Sequence, residues 1–137
     1  MNYAEISKDT ISHLYDSYGS LKNSPLNPAL RVLIELRVSQ INGCKYCCNL
    51  HYNEANKLGV DVNKIDQLKN WKTSPYFPES EKEALSWAES LTKLSAQHNI
   101  KNTNLASYYN EREIVDITAC ASLMNAFNRL AISLHDE

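Results

Sequence analysis

Apolar residues in this chain recur at three- and four-residue intervals, and no stretch alternates with period two long enough to suggest a strand. Ile11, Leu14, Tyr15 and Tyr18 follow the i, i+3, i+4, i+7 spacing of an amphipathic helix, which predicts a helix from about Ser7 to Leu21. A turn follows at Asn23-Ser24-Pro25. Asn27 then reads as an N-cap with Pro28 at the first helical position, and Leu30, Leu33, Ile34, Val38 and Ile41 share one side of the helix it opens. That helix ends at Asn42-Gly43, where glycine supplies the left-handed conformation of a helix stop. A third helix is expected from around Cys44 to Leu58, closed by Gly59. Asp61 caps a short fourth helix with Ile65 and Leu68, and Trp71 to Pro78 reads as a loop with two prolines. A fifth helix runs from about Glu79 to Ala96, with Ala84, Leu85, Ala88, Leu91 and Leu94 inward. A short segment holds Leu105 and Tyr108. Asn110 with Glu113 forms a capping box, and the last helix continues through Ile114, Ile117, Ala121, Met124 and Leu130 to near Leu134. The pattern predicts an all-α bundle of about six to seven helices with no sheet.

Composition narrows the class. A length of 137 residues suits a single domain over 1–137, and 43% hydrophobic residues are enough for its core. Fourteen basic against sixteen acidic residues leave a net charge of −2 and no basic stripe, which argues against a nucleic-acid partner. No apolar run approaches the roughly 20 residues needed to cross a bilayer, so no membrane partner is expected. The N-terminal MNYAEISKDT lacks the apolar core of a secretion signal, which points to the cytoplasm. Three glycines in the whole chain disfavour glycine-rich phosphate loops.

Chemistry concentrates in Ser39-Gln40-Ile41-Asn42-Gly43-Cys44-Lys45-Tyr46-Cys47-Cys48-Asn49-Leu50-His51. Without a signal sequence, such a cysteine cluster is catalytic or metal-binding more often than structural. At 100° per residue, positions 44, 47, 48 and 51 fall within one sector of roughly 100°, which also holds Ala55 and Leu58. Helical residues three apart have Cα atoms about 5 Å apart, inside the disulfide range, so Cys44 and Cys47 form the expected redox couple. Both lie in the first turn, where the helix dipole favours a thiolate. Cys47 alone has a base in direct reach, His51 one turn later, and is the expected nucleophile, with Cys44 resolving. A CxxC with a histidine is also a zinc ligand set, but no second Cys or His pair exists to complete it, and no metal is expected. Cys48 and Cys120 read as core thiols, and His13, His98 and His135 as surface or capping residues.

The run LRVLIELRVSQINGCKYCCNLH resembles the core motif of the alkylhydroperoxidase-D-like branch of the carboxymuconolactone decarboxylase family. The likeness continues through NEANKLG, NWKTSPYF and EKEALSWAESLTKL to NAFNRLAISL, covering nearly the whole chain from about Leu26. The resemblance implies an all-α fold assembled as homo-trimers or homo-hexamers. It implies a peroxidase in which Cys47 attacks the peroxide, Cys44 resolves it and His51 is the base, with no cofactor. Recycling would come from a thiol reductant, a lipoyl adaptor or a thioredoxin-like protein. Trp71, Trp87 and eight tyrosines also suggest more apolar surface than one small core hides, in keeping with a homo-oligomer.

Two features depart from that pattern, and one is that Lys45-Tyr46 stands between the two cysteines, with no histidine there. Peroxidase members carry a glutamate twelve residues before the first motif cysteine, and here that position is Val32. Two roles are open to Glu35, one turn further along. It either replaces the missing carboxylate beside His51 or pairs with Arg31 at the surface. The leading function is a thiol-dependent peroxidase acting on hydrogen peroxide or organic hydroperoxides. A redox-responsive binding or regulatory protein without turnover is the alternative, followed by a decarboxylase of a small lactone acid.

Overall fold

The computed structural model describes residues 1–94 and 99–135. Among them are seven α-helices: α1 (Tyr3–Ile6), α2 (Lys8–Ser20), α3 (Pro28–Asn42), α4 (Lys45–Lys57), α5 (Val62–Asp66), α6 (Glu79–Lys93) and α7 (Glu111–Leu134). Four short 3-10 turns join them, and the described residues contain no strand. The all-α expectation is met. The expected fifth helix ends at Lys93, and its continuation to Ala96 falls on residues 95–98, outside the described residues.

Helix α3 is the axis of the molecule and packs against α4, α6 and α7. Its N-cap is Asn27, whose side chain accepts from the Ala29 N–H, and Pro28 needs no partner for an N–H it lacks. Nine of its fifteen residues are buried, from Leu30 to Ser39, and they fall on every side of the helix. A helix buried all round is surrounded by others. Two of those nine are Arg31 and Glu35, so any charge on α3 has to find its partners inside the protein.

A polar ladder fixes α3 to α7. Buried Asn128 donates to Ser39 Oγ at 3.1 Å, and Asn42 Nδ2 donates to both Asn128 Oδ1 and Asn125 Oδ1 at 3.0 Å. The C-terminal end of α3, where the cysteines follow, is therefore held rigidly. The capping box at Asn110 and Glu113 starts α7 as expected. Three apolar positions depart from expectation. Leu58 and Tyr15 are exposed, and Leu94 turns out at 73% exposure because it ends α6 in the left-handed conformation. Tyr15 still stacks on Phe127 with ring centroids 5.2 Å apart.

Candidate functional site

The site begins at the α3–α4 turn. Gly43 takes φ +73°, which a glycine adopts without steric cost, and reverses the chain in two residues. Cys44 is the N-cap of α4 rather than its first helical residue, and its sulfur accepts from the Cys47 N–H at 3.2 Å. Cys44 and Cys47 are joined as a disulfide with Cα atoms 5.2 Å apart. Both are buried, with 3% and 5% exposure. Cys48 is half-buried and packs against the main core, and Cys120 is buried within it.

Four charged residues and a phenol gather behind the cysteines. His51, buried on α4, has Nδ1 3.1 Å from Glu35 Oε2 and 3.6 Å from Glu54 Oε2. The Nδ1–H is not aligned with either oxygen well enough to form a hydrogen bond, so the contact is an ion pair at hydrogen-bond distance. Arg31 Nη1 donates to Glu35 Oε1 at 2.6 Å and its Nη2 to Glu54 Oε1 at 3.1 Å. Tyr18 donates its hydroxyl proton to Glu35 Oε2 at 2.9 Å. Cys120 Sγ lies 3.8 Å from Glu35 Oε1. Two carboxylates thus face two cations, and the cluster is close to neutral with His51 protonated.

Electrostatics follow from these contacts. Burial on its own would lower the His51 pKa. The Glu35 contact, then the Glu54 contact, outweigh it and raise the value from 6.5 to about 9. At neutral pH the ring is an imidazolium. Contact with His51, resisted by burial and helped by Arg31, pulls the Glu54 carboxyl below its usual range. Burial, then the Glu35 charge, pushes the Cys120 thiol far up, so it stays protonated and unreactive. Burial also raises the half-buried Cys48 thiol, against a smaller opposing pull from Lys69.

Glu35, His51 and Glu54 have ligand atoms within 4.8 Å of one another, a spacing that could hold a cation. The Arg31 guanidinium already bridges the two carboxylates, so the donor set fits a salt-bridge network better than a metal.

The disulfide separates two openings. On the Cys47 side a cavity of about 200 Å³ is lined by His51, Leu50, Met124, Phe127 and the rings of Tyr15, Tyr18 and Tyr46. On the Cys44 side a wider opening of about 510 Å³ is bordered by Lys45, Tyr46, Ile132 and His135. His135 caps α7 and meets the Tyr46 ring at 5.3 Å, consistent with its expected capping role, while His13 is exposed. His98 lies outside the described residues.

The structure brings Cys44, Cys47, His51 and Glu35 together. Glu35 meets both neighbours at once: Oε1 takes Arg31 and Oε2 faces His51. The pair is not at the surface, since Arg31 is 8% exposed and Glu35 fully buried. Val32 is fully buried among apolar residues and belongs to the core. Sequence reasoning missed Tyr18, Glu54 and the inward role of Arg31. Glu54 carried a signal in its i+3 spacing from His51. Tyr18 carried none, because its contact spans seventeen residues and its spacing already had an explanation as an apolar helix position.

The carboxymuconolactone decarboxylase family profile matches residues 12–90. The chain belongs to this family. Within it the chain stands in the alkylhydroperoxidase-D-like branch. It is similar, with TM-score 0.90 and 29% identity over 100% of this chain and 97% of the other, to ATU0492 of Agrobacterium tumefaciens. That protein is of unknown function and considered a candidate AhpD antioxidant defence protein. An uncharacterised peroxidase-related protein from Silicibacter sp. TM1040 matches with TM-score 0.81 and 27% identity, over 91% of this chain and 68% of that one. YdfG of Bacillus subtilis, an uncharacterised protein, is 28% identical over 98% of this chain and 92% of its own length. In this alkylhydroperoxidase-D-like fold the Cys44–Cys47 disulfide is compatible with peroxidase chemistry. Among the described residues no helix is long and apolar enough to cross a membrane.

Proposed function

We propose that this protein is a thiol-dependent peroxidase working through Cys44 and Cys47. The observation that carries this reading is the placement of Cys47, half of a disulfide, on a cavity wall shared with a histidine that two carboxylates keep protonated. In the dithiol state Cys47 has given up its proton and faces the His51 imidazolium, a thiolate–imidazolium pair. The imidazolium thus takes the place of the free base expected from the sequence.

The steps balance without a metal or cofactor. The Cys47 thiolate attacks the terminal peroxide oxygen of ROOH, an S–O bond forms and the O–O bond breaks. His51 gives its proton to the departing alkoxide, leaving ROH and Cys47 sulfenic acid. Cys44 then attacks Cys47 Sγ. Its thiol proton passes to His51, the S–S bond forms, the S–O bond breaks, and hydroxide leaves, taking that proton from His51 to become water. The disulfide of the structure is the product. A dithiol reductant, such as a lipoyl adaptor or a thioredoxin-like protein, returns two electrons and two protons. The wide opening beside Cys44 gives that reductant an approach separate from the Cys47 cavity.

The test is consumption of hydrogen peroxide or cumene hydroperoxide with an excess of dithiol. Many turnovers, lost in Cys47→Ser, support the enzyme. One stoichiometric oxidation and no more overturns it in favour of a redox-responsive binding protein.

A further inference from the structure

Tyr18 stands where the apolar face of α2 meets the buried charges. Its ring meets Phe127 edge-on at 5.7 Å and forms part of the Cys47 cavity wall. Its hydroxyl turns inward, donates to Glu35 Oε2 at 2.9 Å and lies 3.5 Å from Arg31 Nη1. Burial, then the Glu35 and Glu54 charges, push the phenol far above its ordinary value, so it remains a donor at any working pH.

The oxygen it holds is the one that faces His51. Arg31 grips Oε1, but the terminal torsion of a glutamate is broad, so a grip on one oxygen leaves the carboxylate plane free to turn. His51 does not itself fix Oε2, because its Nδ1–H is misaligned with it. The aligned bond on that oxygen comes from Tyr18.

We propose that Tyr18 is a positioning residue of the thiol site: its hydroxyl fixes Glu35 Oε2 against His51 Nδ1 and so keeps in place the imidazolium that activates Cys47. The part concerning Cys47 rests on the peroxidase reading, whereas the effect on His51 stands without it. The titratable and charged groups facing this histidine are Tyr18 from α2, Arg31 and Glu35 from α3, Cys47 and Glu54 from α4, and Cys120 of α7 behind Glu35. Of these, Tyr18 is the group whose hydroxyl a phenylalanine removes while leaving the ring, its contact with Phe127 and the cavity wall intact.

The experiment compares wild type, Tyr18→Phe, Glu35→Gln and the double variant. His51 is titrated by the NMR signal of its ring proton in the disulfide form. Cys47 is followed in the reduced form by the pH profile of iodoacetamide alkylation, resolved by mass spectrometry. In Tyr18→Phe the His51 midpoint is expected to fall by roughly half to one pH unit, and Cys47 alkylation near neutral pH to slow roughly three- to tenfold. In the Glu35→Gln background the same change should add less than about a factor of two, because Tyr18 acts through Glu35. An unchanged His51 midpoint in Tyr18→Phe overturns the proposal. So does an equal effect in both backgrounds, which would show that the hydroxyl does not act through Glu35. Neither readout needs peroxide. A shifted His51 midpoint in a protein that turns over no peroxide would refute the proposed function and leave the role of Tyr18 standing.

Discussion

Stability should fall as pH rises through the neutral range, and His51 should account for the fall. In the unfolded chain this histidine titrates at its ordinary 6.5, and in the folded protein at about 9, because the carboxylates of Glu35 and Glu54 outweigh burial. The folded state therefore binds the proton more tightly. That stabilisation is complete below 6.5 and is lost as pH climbs through 9. The gap between the two values corresponds to about 3 kcal/mol at most, and about 2 kcal/mol of it disappears between about pH 6 and about pH 8.5. His51 is 3% exposed, so solvent screening takes little from this figure. Glu54, whose pKa is lowered, contributes stability that is lost only on acidification, below the window. The raised thiols of Cys48 and Cys120 act above it.

Denaturant unfolding of the disulfide form at both ends of that window measures the effect. His51→Gln supplies the reference, since it removes the titrating group while Arg31 still bridges Glu35 and Glu54. The stability difference between wild type and variant should shrink by about 2 kcal/mol from the acid to the alkaline end. A difference that stays constant across the window would mean that the folded protein does not hold His51 as an imidazolium, and the ion-pair account of the site would fail.

Glu35→Gln should slow Cys47 alkylation by iodoacetamide roughly tenfold near neutral pH, the low end of what losing a carboxylate behind a histidine costs at metal sites. A rate within about a factor of two would mean that His51 acts alone. Peptide mapping of peroxide-treated protein should find the Cys44–Cys47 bridge, with Cys120 alkylated only after unfolding, and a dominant bridge through Cys48 or Cys120 would displace the assignment. Light scattering at micromolar concentration should give a trimer or hexamer, in keeping with exposed Tyr46, Leu50, Val115 and Ile132, and a mass near 15.6 kDa would refute it.

The helices were legible because most of their signals are local. Asn27-Pro28, Gly43, Gly59, Asp61 and the Asn110–Glu113 box each act within a few residues, and each appears at its expected place. The cysteine pair was legible for the same reason, since residues 44 and 47 are constrained by one turn of helix. The buried charged cluster was only half legible. Its members come from α2, α3 and α4, and helical spacing says which face a residue takes but not what packs against that face. Arg31 and Glu35 show the ambiguity well. An i, i+4 ion pair is usually a surface feature, and only the burial of α3 on all sides turns it inward.

The contact between Glu35 and His51 has a geometric explanation. Glu35 contacts His51, and Arg31 contacts Glu54, so position numbers fall along α3 as they rise along α4. The two helices are antiparallel about the Gly43 turn. At 1.5 Å per residue, Glu35 lies about 10 Å back from the end of α3, and His51 about 9 Å into α4, nearly level with each other. A carboxylate at position 32 would sit about 4.5 Å further from the turn, close to the level of Glu54. That is where α4 already supplies one. In this chain two carboxylates stand beside the ring, Glu35 level with it and Glu54 beyond it. Arg31 spans the distance between them and keeps both from facing the core as unpaired charges. Valine at 32 then carries no charge for the core to accommodate, and it fills its place on α3 with full burial.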